Sequence, residues 1–220
     1  MTGPAYLRPR DLAEALAARA AHPDWMVIAG GTDLMVNANH RPVPAGMLDL
    51  WRLAALGGVR EADDTITIGA GSTWREVERD PAIRARLAPL ALAAREIGAL
   101  QIQARGTLGG NVGTSSPVGD SLPVLLALDA ELEVASLRGH RRVAYRDWCT
   151  GYRKTQLAAD ELIVAAHIAV PGRRTRLAWR KIGTRRAQSI SKVMGAAAIE
   201  LDGDVITLAR VALGAVADRP

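Results

Sequence analysis

The most informative stretch of the chain is TLGGNVGTSSPVGDSLP, residues 107–123. It combines glycines with hydroxyl side chains, and the acidic residue Asp120 stands near its end. Such a segment offers backbone N–H groups with little side-chain bulk, which suits the binding of a pyrophosphate, while a carboxylate can accept hydrogen bonds from ribose hydroxyls. The alternative is an ordinary surface loop, but this segment continues directly into the apolar run LPVLLAL. We therefore predict a ligand-binding loop over residues 107–117, within a stretch rich in Gly and Ser at residues 106–119.

A second glycine-rich segment, AGGTDL at residues 29–34, follows a buried strand predicted for residues 25–29. Gly30 and Gly31 allow the backbone to turn tightly and to approach a ligand closely. Free N–H groups at the start of a following helical turn favour an anion such as a phosphate. The spacing is neither that of the dinucleotide fingerprint nor that of a P-loop, and alone it is typical of a plain strand-to-helix turn. Two such segments in one chain favour a phosphate-containing ligand.

The composition excludes several classes of protein. The net charge of +5 comes from 28 basic and 23 acidic residues without a basic stripe among aromatics, so we expect no nucleic-acid binding. A single cysteine, Cys149, allows neither an internal disulfide nor an iron–sulfur cluster with four thiolate ligands. No apolar run approaches the roughly 20 residues of a membrane span, and we recognise no signal peptide. We expect a cytoplasmic protein without membrane contact.

The hydrophobic spacing predicts the main secondary structure. Apolar residues at helical spacing, with Asp11 as the N-cap, indicate a first helix, and Pro81 and Pro89 suit turn or first-turn positions. We predict helices over residues 11–21, 74–85, 87–97 and 121–128, strands over 25–29, 65–68 and 162–170, and hairpins of 131–135 with 142–145 across residues 138–140 and of 195–201 with 205–211 across residues 202–204. A domain boundary is predicted near residues 171–176.

Several separated segments, in this order, resemble a known family. AGGTDL at 29–34 and TLGGNVGTSSPVGDSLP at 107–123 are similar to the two flavin-binding segments of the FAD domain in molybdenum hydroxylases. These enzymes include xanthine dehydrogenases, aldehyde oxidases and carbon monoxide dehydrogenases, whose medium subunit carries the domain. RKIGTRRAQSISKV at 180–193 resembles the xanthine dehydrogenase branch in particular, and GYRKT at 151–155 also fits. The resemblance extends from about Tyr6 to the C-terminus.

The resemblance implies an α+β chain. Residues 1–172 are expected to form a PCMH-type FAD-binding fold of two α/β subdomains. Residues 173–220 are expected to begin a C-terminal α+β domain like that of carbon monoxide dehydrogenase flavoproteins. The family continues for several dozen residues more, so we expect this second domain to be incomplete, or truncated.

The resemblance also implies which residues hold FAD, without a covalent bond. The two segments wrap the diphosphate with backbone N–H groups, Ile163 lies against the flavin, and Lys181 lies near the isoalloxazine, where a cation stabilises the reduced, anionic flavin. Ile97 stands where animal xanthine dehydrogenases carry an aromatic residue beside the ring. The full set is Val27, Ile28, Ala29, Gly30, Gly31, Thr32, Asp33, Leu34, Ile97, Thr107, Leu108, Gly109, Gly110, Asn111, Ser116, Asp120, Ile163 and Lys181. Alternatively, Lys181 is simply a solvated charge in a basic run of residues. That run either lies at the surface or contacts a partner or a phosphate.

The function implied by the resemblance is electron transfer. FAD on this chain would receive electrons from iron–sulfur clusters and would pass them to NAD⁺ or another acceptor. The clusters and the molybdenum cofactor are expected on partner chains, an iron–sulfur small subunit and a molybdopterin-binding large subunit. We find no nucleophile–base pair and no metal-ligand spacing, and the four histidines are scattered, so no catalytic side chain and no metal site are predicted.

Two alternatives stay open at this point. A stand-alone flavin reductase of the same fold, such as the enzyme that reduces enolpyruvyl-UDP-N-acetylglucosamine, would need a proton-donating serine, and Ser115, Ser116 and Ser121 are available. The segment at 180–193 argues against that reading. The other alternative is a flavin-free scaffold that only binds partner subunits.

Overall fold

The structure, a computed structural model, describes residues 3–40, 42–185 and 188–220. Arg186 and Ala187 of the motif at 180–193 therefore lie outside the described residues. The helices are α1 (Leu12–Ala21), α2 (Trp74–Arg79), α3 (Pro81–Arg86), α4 (Ala88–Glu96), α5 (Leu100–Gln103), α6 (Leu108–Thr114), α7 (Leu122–Ala127) and α8 (Tyr145–Trp148). The strands are β1 (Ala5–Leu7), β2 (Met26–Ile28), β3 (Gly46–Asp49), β4 (Val59–Ala62), β5 (Thr65–Gly69), β6 (Glu131–Ser136), β7 (Gly139–Ala144), β8 (Cys149–Gly151), β9 (Lys154–Thr155), β10 (Leu162–Ala169), β11 (Thr175–Gly183), β12 (Ser191–Asp202) and β13 (Val205–Gly214). Short 3-10 turns cover Met35–His40 and Ala54–Leu56.

A small parallel sheet with the order β1-β3-β2 forms the N-terminal layer, and α1 packs beside it. The helix begins where the Asp11 side chain accepts a hydrogen bond from the N–H of Glu14, a cap that contributes about 1 kcal/mol. Ala15 and Leu16 on its inner face pack with Leu48 of β3 in a buried cluster. Ala135 of β6 and Leu162 of β10 complete this cluster, so the core joins the N-terminal layer to the central sheet.

The central antiparallel sheet has the order β4-β5-β10-β6-β7 and carries the larger core. The alternation of threonine and isoleucine in β5 sends Ile66 and Ile68 inward, where both are 0% exposed. The helices α2, α4 and α7 add Trp74, Leu90 and Leu125 to the same buried cluster. Aliphatic side chains and tryptophan therefore fill the interior of a chain that contains no phenylalanine.

A third sheet with the order β11-β12-β13 is antiparallel and packs against α4 and α7. Its inner face is formed by small or flexible side chains such as Met194 and Ala196, both buried. The approach to α7 is close, because a Cβ added to Gly214 would lie 2.8 Å from Cγ of Pro123. This sheet rests directly on the preceding helices, and the division of the chain at residue 172 stays a prediction.

The structure confirms most of the elements that the sequence predicts. Asp11 caps α1 as expected, and the strand predicted over residues 65–68 is β5. The hairpin predicted around residues 202–204 is formed by β12 and β13, with Gly203 in the left-handed region at φ 59°. None of the helices in the described residues has the length and apolar character needed to cross a membrane.

Some boundaries and one element type differ from expectation. The loop predicted over residues 107–117 is wrong, because Leu108–Thr114 form the helix α6. The helix predicted over residues 74–85 is two helices, since Asp80 leaves the helical conformation with ψ 127° and caps α3.

Two predicted strands also need correction. The strand predicted as buried over residues 25–29 is shorter, Met26–Ile28, and only half-buried, because it borders an open cleft. In the hairpin of β6 and β7, Gly139 and His140 belong to the strand rather than to the turn.

Candidate functional site

A cleft of about 520 Å³ lies where the two glycine-rich segments meet. Cofactor sites in proteins typically measure roughly 300–1,000 Å³. Most of the residues predicted to hold a cofactor line this cleft: Val27, Ala29, Gly30, Gly31, Thr32, Asp33, Leu34, Ile97, Thr107, Gly109, Gly110, Asn111, Ser116, Asp120 and Ile163. Two segments that are far apart in the sequence therefore share one cavity.

The first segment leaves β2 as a tight turn that is pressed against the second segment. Gly31 has a φ of 75°, which side-chain-bearing residues rarely adopt. A Cβ added to Gly30 would lie 1.8 Å from the carbonyl oxygen of Arg105, and a Cβ added to Gly106 would lie 3.3 Å from Oγ1 of Thr32. Glycine at these positions lets the two backbones touch.

The same turn brings backbone donors to the cleft. The N–H of Met35 bonds to the carbonyl oxygen of Gly31 at 2.9 Å and begins the 3-10 turn. Within the described part of the chain, the N–H groups of Gly31, Thr32 and Asp33 have no protein acceptor. All three residues line the cleft. Consecutive unpaired amides of this kind form a site for an anion.

Part of the second segment is the short helix α6, and the face that it turns to the cleft is rich in glycine. Thr107 caps α6 by accepting a hydrogen bond from the N–H of Gly110 at 3.1 Å. Gly109 donates its N–H to the carbonyl oxygen of Ala70 at 2.7 Å, and a Cβ at Gly109 would lie 2.7 Å from Cβ of Ala70. Gly109, Gly110 and Gly113 all line the cleft. On this side the ligand would meet main chain rather than side chains.

A buried charge cluster forms one end of the cleft, which we call the Asp120 end. Oδ2 of Asp120 accepts a hydrogen bond from Nζ of Lys181 at 2.7 Å, and Oδ1 accepts one from Oγ of Ser191 at 2.7 Å. Nζ of Lys181 also donates to the carbonyl oxygen of Glu96 at 3.3 Å. The indole N–H of Trp179 donates to the carbonyl oxygen of Asp120 at 3.2 Å. Residues of β11 and β12 therefore hold Asp120 in place.

Burial dominates the electrostatics of this cluster. Only 8% of the Asp120 side chain is exposed. Burial raises the pKa of Asp120, and the hydrogen bonds from Lys181 and Ser191 offset part of that rise. Each carboxylate oxygen can accept a second hydrogen bond, so Asp120 retains capacity for a ligand hydroxyl.

Another part of the lining, which we call the α1 wall, consists of Arg19, Trp25, Leu50, Leu56 and Leu162. Nη1 of Arg19 donates a hydrogen bond to the carbonyl oxygen of Trp25 at 3.0 Å. Leu50, Leu56 and Leu162 belong to the same buried cluster as the inner face of α1. This wall is therefore apolar apart from one guanidinium group.

Glu161 lies beside the α1 wall and is held by the protein. Its carboxylate accepts hydrogen bonds from Nε and Nη2 of Arg141, both at 2.7 Å, and from the N–H of Ala158 at 2.9 Å. The hydrogen bonds from Arg141 lower the pKa of Glu161 below its ordinary value. Glu161 is therefore a charged structural group at the edge of the cleft.

Three predicted site residues lie outside the lining. Ile28 alternates with Val27 and Ala29 along β2 and so faces away from the cleft. Leu108 is 0% exposed in the core beneath α6. Lys181 bonds to Asp120 rather than lining the cleft itself. The expectation of direct contact between a ligand and these three side chains is therefore not supported by the geometry.

The three serines that a stand-alone reductase could use are differently placed. Ser116 lines the cleft. Ser115 is buried, with Oγ 3.1 Å from Sγ of Cys149, and Ser121 is buried and donates to Oδ1 of Asn111 at 2.6 Å. Ser115 and Ser121 serve the fold.

Sequence reasoning missed several lining residues, including Arg19, Trp25, Leu50, Leu56, Ala70, Gly71, Trp74, Ile102, Leu157, Glu161 and Leu162. A signal existed for Arg19, which falls three residues after Leu16 and four after Ala15 and so shares the apolar face of α1. A charged residue on such a face indicates a special environment. Leu56 and Leu162 carry no comparable signal, because only tertiary packing brings them together.

Comparison with known proteins identifies the kind of site. Residues 2–171 match the family described as the FAD binding domain in molybdopterin dehydrogenase. The chain is 34% identical over 203 residues to the nicotinate dehydrogenase FAD-subunit of Eubacterium barkeri. The aligned region covers 90% of this chain and 69% of that relative. The chain belongs to this family. It is an FAD-binding subunit of the molybdenum hydroxylase group and thus part of an oxidoreductase.

Further relatives agree with this assignment. This chain is also 33% identical over 218 residues to the xanthine dehydrogenase FAD-binding subunit of Escherichia coli O157:H7. The aligned region covers 98% of this chain and 75% of that protein. It superposes on carbon monoxide dehydrogenase from Hydrogenophaga pseudoflava with a TM-score of 0.94 and 27% identity, over 99% of this chain and 76% of that one. Quinoline 2-oxidoreductase from Pseudomonas putida 86 gives a TM-score of 0.91 at 28% identity, over 100% and 77%. The predicted PCMH-type α+β fold is confirmed.

The residues of this FAD-binding subunit fit a dinucleotide cofactor. Gly30 packs against the backbone of Arg105, and the glycine-rich face of α6 leaves space in the cleft. A Cβ at Gly30 would collide with the Arg105 carbonyl oxygen. Unpaired amides at residues 31–33 offer donors for phosphate oxygens. The α1 wall and the Asp120 end supply apolar and hydrogen-bonding surface for the flat ring systems.

Proposed function

We propose that this subunit holds FAD non-covalently in the cleft, with the pyrophosphate between the two glycine-rich segments. The observation that carries the proposal is the contact of Gly30 with the Arg105 carbonyl, which joins both segments in one cavity. The amides of Gly31, Thr32 and Asp33 donate to phosphate oxygens in this proposal. The proposed contacts are those residues implied by the family resemblance that also line the cleft. They lie within a proposed FAD-binding unit of residues 1–172.

The isoalloxazine belongs at the Asp120 end in this proposal. Ile97 lines the cleft, and the family resemblance implies that it stands where animal xanthine dehydrogenases carry an aromatic residue beside the ring. Asp120 can accept a hydrogen bond from a ribityl or ribose hydroxyl. Lys181 acts through Asp120, because its ammonium group holds that carboxylate at 2.7 Å. The chain thus positions the cofactor and excludes water, and the cofactor supplies redox chemistry when bound.

The function we propose is electron transfer from iron–sulfur clusters on partner chains to NAD⁺ or another acceptor. The names of the relatives support a multi-subunit assembly, since they include the medium chain of carbon monoxide dehydrogenase from Hydrogenophaga pseudoflava and the medium subunit of nicotine 6-hydroxylase from Paenarthrobacter nicotinovorans. The proposed partners are a molybdopterin-binding large subunit and an iron–sulfur small subunit. The single cysteine of this chain is buried, which agrees with clusters held elsewhere.

The test begins with the cofactor content of the full chain, purified alone and with co-expressed neighbouring subunits. We expect one FAD per chain, released by acid denaturation because it is not covalently bound. In the complex, anaerobic addition of the molybdenum subunit's substrate should bleach the flavin absorbance, and NAD⁺ should restore it if NAD⁺ is the acceptor.

Two results would replace this proposal with its alternatives. A purified chain and complex that contain no flavin would indicate a flavin-free scaffold. Bleaching of the isolated chain by NADH, with turnover of a small-molecule substrate in the absence of other subunits, would indicate a stand-alone reductase. A Gly30→Ala variant that retains full FAD content would refute the proposed location of the cofactor.

A further inference from the structure

Arg19 carries an unusual unsatisfied group. Within the described residues, Nε of Arg19 is the one buried side-chain nitrogen or oxygen that has no hydrogen-bond partner. Proteins rarely leave a buried donor unpaired, because desolvation of the donor is then uncompensated. Arg19 also lines the cleft. A bound ligand can therefore supply the acceptor that the protein lacks.

A second nitrogen of the guanidinium is anchored. Nη1 donates to the carbonyl oxygen of Trp25 at 3.0 Å and fixes the group between α1 and β2. Burial lowers the pKa of Arg19, against the attraction of Asp160 and Asp24. Neither carboxylate lies within ion-pair distance of Arg19 in the described structure. The Nε–H is thus held at a defined place in the wall.

The surroundings of Arg19 suit a flat heterocycle. Trp25, Leu50, Leu56 and Leu162 make the α1 wall apolar. The unpaired amides that suit a phosphate belong to residues 31–33 of the glycine-rich segment, whereas the Nε–H of Arg19 lies among apolar side chains. One donor in an apolar wall matches one ring-nitrogen acceptor, and adenine offers such acceptors around a flat, apolar ring.

We propose that Arg19 recognises the adenine of the dinucleotide, with its Nε–H donating to an adenine ring nitrogen. This inference rests on the proposed function, which places the isoalloxazine at the Asp120 end and the pyrophosphate at the glycine-rich segments. The α1 wall is the part of the lining that those two groups leave for the second ring system. Arg19 is then a determinant of the preference for FAD over shorter flavins.

The test compares ligands that contain either half of FAD. The full chain, stripped of flavin, is titrated with FAD, with ADP as a competitor that carries the adenine, and with FMN, which lacks it. The Arg19→Leu variant is expected to bind FAD and ADP about tenfold more weakly than the wild type, with unchanged affinity for FMN. Arg84→Leu is the matched control, because Arg84 is exposed on α3, and it should leave all three affinities unchanged.

The hydrogen bond from Arg19 to Trp25 also holds the fold, so a second variant is needed. Arg19→Lys retains the positive charge and a long side chain but lacks Nε–H, and it should lose the same factor for ADP while it unfolds at the wild-type temperature. If a variant loses affinity for ADP and FMN equally, or if a folded variant keeps its affinity for ADP, the proposed role of Arg19 is wrong but the proposed function stands. Absence of FAD binding by the wild-type chain would overturn the proposed function with it.

Discussion

Lys181 and Asp120 form a buried ion pair in which Nζ lies 2.7 Å from Oδ2 and each side chain is 8% exposed. The two residues are 61 positions apart and belong to different layers, β11 and the segment that joins α6 to α7. The attraction between the two charges offsets the desolvation cost of burying each of them. The pair therefore ties the C-terminal sheet to the wall of the cofactor cleft.

Replacement of Lys181 by methionine is expected to reduce the free energy of unfolding by about 3–5 kcal/mol at pH 7. Burial already raises the pKa of Asp120 above 3.8, and loss of Lys181 raises it further. The folded variant then binds a proton more tightly than the unfolded chain, so its deficit shrinks as the pH falls toward the ordinary carboxyl value. Urea unfolding at several pH values measures this.

The combined variant Lys181→Met with Asp120→Asn provides the control for that measurement. It leaves no unpaired charge behind and should be more stable than Lys181→Met alone at pH 7. A deficit of Lys181→Met that is the same at every pH would contradict the buried carboxylate as its cause.

Substitution of Gly30 by alanine should damage both fold and cofactor binding. The added Cβ would lie 1.8 Å from the Arg105 carbonyl oxygen, so the two segments must separate. We expect a loss of about 1–3 kcal/mol in unfolding free energy and FAD affinity reduced by roughly tenfold or more. Gly172→Ala is the control, since its nearest neighbour is Oγ1 of Thr175 at 3.8 Å. If Gly30→Ala behaves like this control, the close approach of the segments is not required.

Glu133 should contribute stability that disappears in acid. Its carboxylate bonds to His140 at 2.6 Å and to His167 at 2.7 Å. Burial alone would raise the pKa of Glu133, but the two histidines outweigh it and hold the pKa below 4.5. Because the folded pKa is depressed, the contribution is complete above the unfolded value and is lost as the pH falls through the folded value.

The variant Glu133→Gln measures this contribution. It should be less stable than the wild type by about 1 kcal/mol at pH 7. The difference should shrink below the ordinary glutamate pKa and vanish once the pH has fallen through the lower pKa of the folded protein. Glu131→Gln in the same strand is the matched control, since Glu131 is 48% exposed and its ion pair is with the exposed Arg142. A difference for Glu133→Gln that persists undiminished in acid would show that the histidines do not act through its charge.

Removal of Arg141 should expose the dependence of Glu161 on its partner. Arg141→Ala leaves a carboxylate with 5% exposure and one remaining N–H donor, Ala158. A loss of about 1–3 kcal/mol is expected at pH 7, measured by thermal unfolding. The hydrogen bonds from Arg141 lower the pKa of Glu161, so the loss should diminish as the pH falls below 4.5. The neighbouring Arg142→Ala should cost little, because both members of its ion pair are exposed.

Elements with local signals were predictable from the sequence. Asp11 caps α1 through a side chain three residues from its donor, and the threonine–isoleucine alternation of β5 is a property of consecutive positions. The pairing of Lys181 with Asp120 has no local signal, because it depends on how β11 crosses the end of the cleft. The family motifs implied most of the lining, but they do not include Arg19 or Trp25.

The helix α6 shows that a glycine-rich sequence, which favours a loop, can be helical when tertiary contacts support it. LGGNVGT has poor intrinsic helix propensity, and nothing in its apolar spacing indicates a helix. Tertiary structure supplies what propensity lacks: Thr107 caps the first turn, and Gly109 bonds to Ala70 at a distance that no larger residue permits. The glycines therefore serve close packing rather than flexibility.

The two glycine-rich segments line the cleft largely with peptide groups, since Gly30, Gly31, Gly109 and Gly110 place no side chains there. A peptide group donates the same hydrogen bond whatever the neighbouring residues become. If FAD lies as proposed, substitutions at positions such as Ile97 can therefore change the surroundings of the flavin ring without changing the peptide groups proposed to bind the phosphates. Diversity among subunits of this kind should accumulate at the walls, and the glycines should be the last positions to change.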